Sequence, residues 1–281
     1  MITKDDFQLC ESATEEDLKT GTFKDGYSYK EADWKAQVKF DGERIMCAVI
    51  DKDVILINRR GKPCNFHFED VVENVKALEL PDCIIDGEII SRDDDFSKLQ
   101  RRALTKSAAK IAVLREEIPV KYMVFDVLQI GGVAITNKPL RERLVLLKEL
   151  FAGREIVLEK GFVELAETGS VNDMLEKAHK EDREGVIIKH LDGIYEGKRS
   201  RNWRKVKFFL EGLLMVTKYE ENPKGLTVED NDGNRVAVLG AQHKAVKDAI
   251  DKNGQVEIQI QYLEKTAEGR LRFPSFRGLK E

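Results

Sequence analysis

The sequence predicts an α+β protein in two parts, antiparallel sheets with flanking helices followed by a small β-barrel. Short apolar runs separated by turn residues, such as KAQVKF, RIMCAVI and VILINRR between residues 35 and 60, predict strands. Apolar residues at helical spacing, as in NKPLRERLVLLKELF, predict helices between the strands. After residue 210 the pattern changes to several short strands with one helix.

Two Asp-Gly dipeptides interrupt the strands of the first part. In AQVKFDGERIMCAVI, Asp41-Gly42 could form the tight turn of a hairpin, with the flanking charges solvated. This interpretation explains the turn and leaves Lys39 and Arg44 to chance. CIIDGEIIS, residues 83 to 91, predicts another strand–turn–strand around Asp86-Gly87.

Further strands are predicted at KYMVFDVLQI and GVIIKH. One helix is expected in NKPLRERLVLLKELF, with Asn137 as its cap and Pro139 near the first turn. A second helix is expected in SVNDMLEKAHK, capped by Ser170.

The second part contains LLMVTKY, GLTVED, NRVAVLG, the helix AQHKAVKDAIDKNG and the strand QVEIQIQYL. Residues 231–234, NDGN, predict a hairpin turn. One helix between the third and fourth strands is the order of a five-stranded Greek-key barrel, the OB-fold, a common oligonucleotide binder. We therefore expect domains at residues 1–210 and 211–281.

Composition limits the class of protein. The 281 residues are 42% hydrophobic and 35% charged, with a net charge of −4. This predicts a globular protein, and the absence of a signal-like N-terminus or a bilayer-length apolar run favours a cytoplasmic protein without membrane contact. We also expect a monomer. Four cysteines without CxxC spacing predict buried or incidental thiols rather than zinc ligands or disulfides: Cys10, Cys47, Cys64 and Cys83.

Positive charge is concentrated in three stretches. YEGKRSRNWRKVKF carries six Lys or Arg and one Glu, GRLRFPSFRGLK carries four basic residues, and SKLQRRALTKSAAK carries five. A basic face on an acidic body is typical of a selective phosphate binder, although a solvated surface explains the pattern equally well.

Lys39 suggests covalent chemistry. A lysine amine is a nucleophile only when deprotonated, and the reference lysine pKa lies about three units above neutrality. A lysine that attacks a phosphate therefore needs neighbouring cations, including a metal ion held by carboxylates. The sequence offers candidates on successive strands, among them Glu88, Glu184 and Lys205 with Lys207, whose alternation places both ammonium groups on one strand face.

KFDGER, NRRG, IIDGEI, YMVFDVL, REGVIIK and WRKVKF occur in this order over residues 35 to 208. They resemble the six collinear motifs of the ATP-dependent DNA ligases, a family of covalent nucleotidyltransferases. The resemblance implies an antiparallel-sheet, ATP-grasp-like adenylyltransferase core followed by an OB-fold domain. RLRFPSFRG resembles the family's close of that second domain.

The resemblance also implies roles for individual residues. Lys39 would form lysyl–AMP, Gln37 would read the adenine edge and Phe125 would stack on adenine. Arg44 and Arg59 would contact the ribose and later the DNA 5′-phosphate. The remaining roles concern charge: Glu88 would hold a ribose hydroxyl or a metal, Glu184 would bind Mg²⁺ (or Mn²⁺), and Lys205 and Lys207 would grip the α-phosphate.

The implied activity is the sealing of nicks in double-stranded DNA with ATP, as in DNA replication, repair and recombination. An mRNA capping guanylyltransferase or an RNA ligase would share the lysine chemistry, and a nonenzymatic OB-fold module would share the barrel. The sequence departs from the family pattern at its end, where Arg277 and Lys280 stand in place of an Asp-Lys pair. A barrel of this length also has no room for the inserted latch loop of some viral relatives.

Overall fold

The computed structural model describes residues 2–154, 162–266 and 269–280. The chain divides into two compact units, Met1–Val206 and Lys207–Glu281. Both contain antiparallel strands with helices, which confirms the predicted α+β class. None of the helices in the described ranges is both long and apolar enough to cross a membrane.

The elements that begin in the first unit are ten strands and six α-helices among the described residues. The strands are β1 (Leu9–Ala13), β2 (Trp34–Val38), β3 (Glu43–Ile50), β4 (Asp53–Asn58), β5 (Cys83–Ser91), β6 (Val120–Ile130), β7 (Val133–Ala134), β8 (Val163–Leu165), β9 (Gly185–His190) and β10 (Arg199–Lys207). The helices are α1 (Glu15–Thr20), α2 (Glu69–Ala77), α3 (Phe96–Ala103), α4 (Ala108–Glu117), α5 (Leu140–Phe151) and α6 (Val171–Lys180).

These strands form two sheets. One has the order β4-β3-β5-β6-β7, with β8 beside β6, and the other has the order β1-β10-β9-β2. The main hydrophobic core includes residues from β3 to β6 together with α2 and α5. A smaller cluster, which includes Phe7, Phe125, Tyr195 and Trp203, joins residues of both sheets.

The hairpin interpretation of Asp41-Gly42 is wrong. β2 pairs with β9 and β3 pairs with β4 and β5, so the dipeptide carries the chain from one sheet to the other. A Cβ atom on Gly42 would lie 2.2 Å from the Ile89 carbonyl oxygen and 2.9 Å from Glu88 Cγ. Glycine is required here because the backbone passes directly over β5.

The predicted turn at Asp86-Gly87 is also wrong, because β5 runs unbroken through the dipeptide. A Cβ atom on Gly87 would lie 2.5 Å from the Tyr122 ring and 2.6 Å from the Met123 carbonyl oxygen. The glycine therefore allows β6 to approach, and the β5–β6 register shifts at this point. Both Asp-Gly pairs serve close packing between elements and not chain reversal.

The two helices predicted in the first part form, and one predicted cap is wrong. Ser170 caps α6, its Oγ accepting a hydrogen bond from the Asp173 backbone N–H. α5 begins at Leu140 with Pro139 as its N-cap residue, in extended conformation. Proline disfavours helical geometry in the residue before it, here Lys138, so the helix cannot extend back to Asn137.

The second unit contains β11 (Leu210–Val216), β12 (Lys218–Asn222), β13 (Gly225–Glu229), β14 (Arg235–Leu239), α7 (His243–Asn253), β15 (Val256–Tyr262), β16 (Glu264–Lys265), β17 (Leu271–Arg272) and β18 (Ser275–Leu279). Its sheets have the orders β11-β15-β18 and β12-β13-β14, with a two-stranded ribbon β16-β17. The 230–234 turn joins β13 to β14, with Gly233 at φ +80°, as predicted. Among the described residues of this unit, ten buried apolar side chains form a separate core.

Two of the predicted basic stretches contain arginines that are not on the surface. Arg102 is fully buried and pairs with Asp70 at 2.5 Å. Arg204 is almost fully buried, pairs with Asp25 at 3.0 Å and lies 3.8 Å over the Phe23 ring. These side chains stabilise the interior, so the basic surface is smaller than the sequence predicts. The four cysteines are free thiols, of which Cys47, Cys64 and Cys83 are buried and Cys10 is partly buried.

Candidate active site

Lys39 lies at the end of β2, beside the start of β9. Its backbone N–H donates to the Gly185 carbonyl at 2.9 Å, which extends the β2–β9 pairing by one residue. Its Nζ forms an ion pair with the Glu184 carboxylate. The Glu184 side chain is only 6% exposed, whereas Lys39 is 21% exposed. The antiparallel pairing of the two strands therefore brings together two residues that the sequence separates by 145 positions.

Arg44 is held by a buried carboxylate on the neighbouring strand. Its Nε and Nη2 donate to the two oxygens of Asp86 at 3.1 and 2.6 Å, and Nη1 donates to the Gln8 carbonyl at 2.6 Å. Tyr195 completes the group, because its hydroxyl donates to Asp86 Oδ2 at 2.7 Å. Arg44, which the resemblance assigns to the ribose and the 5′-phosphate, therefore uses most of its N–H donors in hydrogen bonds within the protein.

Burial and charge oppose each other at Arg44 and act together at Tyr195. Burial is the largest single influence and favours the neutral guanidinium, but the Asp86 carboxylate together with Tyr195 and Cys10 outweighs it and raises the pKa of Arg44 well above its usual value. Burial, with the nearby Asp86 charge, raises the pKa of the Tyr195 hydroxyl. Tyr195 therefore keeps its proton and remains a hydrogen-bond donor to Asp86.

Glu88 lies opposite Arg44 in the β3–β5 register and is partly buried. Burial raises the pKa of its carboxyl to about 8, although Lys39 and Arg44 oppose the shift. Without a further cation the carboxyl is therefore mainly protonated at neutral pH. A bound metal ion would favour the charged Glu88 carboxylate, whereas the protonated carboxyl can form a hydrogen bond with a ribose hydroxyl.

Phe125 lies on β6, within the smaller apolar cluster. Its ring meets Trp203 edge-on, with the centroids 6.0 Å apart, and the Arg44 guanidinium carbon lies 5.4 Å from its centroid. Only 9% of the residue is exposed. The sequence interpretation assigned no role to Trp203, although it is the first letter of the quoted WRKVKF motif.

Lys189 was not among the predicted ligands, although it ends the REGVIIK motif. It is buried, and its Nζ lies 3.9 Å from the Trp203 ring centroid and 4.3 Å from that of Phe125. Burial lowers the pKa of this ammonium to about 8. The spacing of the motif could have indicated the residue, but not its position between two aromatic rings.

Gln37 precedes Lys39 by two residues, so both lie on the same face of β2. It is buried, and its Nε2 donates to Thr168 Oγ1 at 2.8 Å. Thr168 has no motif around it and was missed by the sequence interpretation. Its importance follows only from the position of the segment that carries it.

The other predicted ligands are more scattered. Arg59 is exposed in the turn after β4, where Gly61 has φ +74°. Lys205 lies on the same face of β10 as Trp203 and is partly buried. Lys207 ends β10 and begins the second unit. Arg277 and Lys280 belong to β18 and its end, where Arg277 donates to Gln261 and Lys280 pairs with Glu257.

The donor set suits a magnesium ion bound mainly through a phosphate ligand. Lys39 forms an ion pair with Glu184 and acts electrostatically on Glu88. The carboxylate oxygens of both residues are hard ligands of the kind that magnesium prefers. No three His, Cys, Asp or Glu side chains in the described ranges are grouped closely enough to hold a metal ion alone. Mg²⁺ is commonly held by one or two carboxylates plus substrate phosphates, so two carboxylates fit this mode.

Comparison with known proteins supports the resemblance that the sequence motifs indicate. Residues 12–207 match the model of the ATP dependent DNA ligase domain. A DNA ligase from Aeropyrum pernix is 35% identical over 194 residues, which are 64% of this chain and 31% of that protein. The chain thus spans about a third of the length of this larger relative.

A similarly sized relative and a similar fold are also known. The SPbeta prophage-derived DNA ligase-like protein LigB of Bacillus subtilis is 26% identical over 267 residues, covering 88% of this chain and 93% of that protein. A solved structure of the Lig E DNA ligases aligns over 98% of both chains with a TM-score of 0.67 and 19% identity. At that identity the structural likeness concerns the fold alone.

Proposed function

The chain belongs to the ATP-dependent DNA ligase family, and from that premise we propose that it seals nicks in double-stranded DNA with ATP as co-substrate. The contact that carries the proposal is the ion pair between Lys39 and the largely buried Glu184. The positive charges of Lys39, Arg44, Lys189 and Lys205 all act on the Cys10 thiol, so they converge on one region. A partly exposed lysine amine among other cations is a suitable nucleophile for the phosphorus of a nucleotide.

The reaction would proceed in three phosphoryl transfers. Lys39 loses its ammonium proton to water, and its nitrogen attacks the α-phosphorus of ATP. A P–N bond forms and the P–O bond to pyrophosphate breaks. AMP then passes to the 5′-phosphate at the nick, and the 3′-hydroxyl attacks that phosphate, which releases AMP.

The other residues would act through position and charge. Gln37 and Phe125 would bound the adenine site, while Arg44, Arg59, Lys205 and Lys207 would neutralise phosphate or contact ribose. Mg²⁺, held by Glu184 and Glu88, would stabilise negative charge on the transferred phosphate. Asp86 and Tyr195 would hold Arg44 in place before the substrate arrives.

Covalent labelling tests the proposal. The protein is incubated with Mg²⁺ and ATP, GTP or NAD⁺, and its intact mass is measured. We expect a gain of one AMP with ATP, reversed by pyrophosphate, and transfer of the label to nicked duplex DNA followed by sealing. A GMP adduct would indicate a capping enzyme, and no adduct would indicate a binding module.

Two lysine variants separate the nucleophile from a general charge effect. Lys39→Ala removes the proposed nucleophile and should abolish the adduct. Lys121→Ala removes a lysine that pairs with Glu164 at 2.8 Å elsewhere in the same unit, and should keep it. An adduct that survives in Lys39→Ala would show that another residue is the nucleophile.

A further inference from the structure

The segment from Ala166 to Gly169 is fixed between the strands that carry Gln37 and Phe125. The Ala166 backbone N–H donates to the Val124 carbonyl at 2.7 Å, next to Phe125 on β6. Gly169 and Ala36 exchange two backbone hydrogen bonds of 3.1 Å each, next to Gln37 on β2. Thr168 therefore has little freedom to move relative to Gln37.

The hydrogen bonds around Thr168 have a defined direction. Its hydroxyl donates to the Ala166 carbonyl at 3.4 Å and accepts from Gln37 Nε2 at 2.8 Å. The hydroxyl has one proton, and this proton is directed to the carbonyl. Gln37 can satisfy the hydroxyl only with its NH₂ group, which leaves its Oε1 as the atom available to a ligand.

This direction matters because a glutamine amide can present either a donor or an acceptor. Adenine carries an amino donor at its 6-position, whereas guanine and hypoxanthine carry an oxygen acceptor there. An amide free to turn could match both kinds of base. An amide held with Oε1 outward matches the 6-amino group and leaves a 6-oxo group facing another oxygen.

We propose that Thr168 is a positioning residue that selects 6-aminopurine nucleotides by fixing the orientation of the Gln37 side-chain amide. The proposal rests on the proposed function in one respect: it takes the purine of the co-substrate to lie between Gln37 and Phe125. The selecting contact is made by Gln37, and Thr168 acts through it.

The experiment compares ATP with ITP, which differs from it at the purine 6-position. Covalent nucleotide attachment is measured as kcat/KM for each nucleotide in the wild type, in Thr168→Val and in Thr168→Ser. The valine has nearly the shape of threonine but lacks the hydroxyl, and the serine keeps it. We expect the ATP:ITP ratio to fall at least about fivefold in Thr168→Val and to stay near the wild-type value in Thr168→Ser, because one mismatched base-edge contact is worth about that factor or more.

The ratio distinguishes positioning from a general structural effect. A Thr168→Val protein that loses equal activity with both nucleotides, or that keeps the wild-type ratio, would overturn the proposal. Equilibrium binding of ATP and ITP to the same three proteins separates the two proposals. Selective binding that depends on the Thr168 hydroxyl, without any covalent adduct, would refute the ligase chemistry and support the selection, whereas binding without preference would refute the selection alone.

Discussion

The Arg44 guanidinium depends on a carboxylate that has no contact with solvent. Asp86 is 0% exposed and both of its oxygens accept from Arg44. Removing one partner of such a pair leaves an uncompensated buried charge. We therefore expect Asp86→Asn to lower the free energy of unfolding by about 3 kcal/mol, measured by urea denaturation.

A second aspartate–arginine pair provides the comparison for this variant. Asp192 pairs with Arg141, but both side chains are more than half exposed. An exposed pair contributes about 0–1 kcal/mol, so Asp192→Asn should change the unfolding free energy by less than about 1 kcal/mol. Equal losses in the two variants would show that the burial of Asp86 does not control its contribution.

Glu88 predicts a pH dependence. Its carboxyl has a pKa of about 8 in the folded protein, above the ordinary value of 4.5, so folding favours the protonated form. Its contribution to stability is therefore most favourable below pH 4.5 and declines as the pH rises to about 8. Glu88→Gln should gain stability relative to the wild type across this interval, measured by urea denaturation at several pH values.

A carboxyl on the surface is the control for this effect. Glu73 is exposed on α2 and pairs with Arg115, and Glu73→Gln removes one carboxyl without touching the site. If the stability difference between Glu88→Gln and the wild type did not change with pH, the carboxyl would not be protonated in the folded protein. The measurement uses protein free of nucleotide and of divalent cations, because a bound cation would favour the charged Glu88 carboxylate.

At the scale of elements, Gly42 allows the chain between β2 and β3 to pass close to β5. Any larger side chain would collide with the β5 backbone, since the Cβ position is 2.2 Å from the Ile89 oxygen. Gly42→Ala should destabilise the protein by about 3 kcal/mol through this overpacking. It should also slow formation of the nucleotide adduct, because Gly42 lies between Lys39 and Arg44 in the chain.

The matched glycine is Gly278 on β18. Its nearest neighbour is Gln259 Oε1 at 3.6 Å from the Cβ position, an ordinary contact. Gly278→Ala should therefore change the free energy of unfolding by less than about 0.5 kcal/mol, measured from the shift in the midpoint of thermal unfolding. A Gly42→Ala protein as stable as Gly278→Ala would mean that β5 can move away without loss.

The two Asp-Gly dipeptides show where sequence analysis reaches its limit. Strand positions at KAQVKF and RIMCAVI were predicted because apolar alternation reports burial directly. The role of Gly42 was not, because the same dipeptide suits a hairpin turn and a close backbone approach. Only the strand pairing, which depends on residues far along the chain, distinguishes the two.

The candidate site divides in the same way. Lys39 and Glu184 could be predicted to meet because their residue types suit one reaction and their strands carry recognisable motifs. Thr168 could not be predicted, since a single threonine outside any periodic pattern carries no local signal. Arg102 and Arg204 were misjudged because charge in a sequence does not show whether a buried carboxylate accompanies it.

At the scale of the whole molecule, the two units have separate cores and are expected to respond separately to core mutations. The two tryptophans, Trp34 and Trp203, both lie in the first unit, so tryptophan fluorescence reports on that unit alone. Ile258→Ala removes a fully buried side chain of the second core and should destabilise that unit by about 3 kcal/mol. The circular dichroism transition should shift while the fluorescence transition stays in place.

The reciprocal variant is Ile188→Ala, in β9 of the first unit, which is also fully buried. It should shift the fluorescence transition. If Ile258→Ala moved both signals by the same amount, the two units would unfold as one cooperative body.

The buried arginines bear on how the protein responds to ionic strength. A polyelectrolyte such as duplex DNA releases condensed counterions for each phosphate that a protein cation neutralises, and this number sets the slope of log K against log salt. Arg102 and Arg204 are enclosed with Asp70 and Asp25 and cannot reach a phosphate. Titrations of the protein with duplex DNA at increasing potassium chloride concentrations should therefore give a shallower slope of log K against log salt than the number of basic residues in the sequence would suggest.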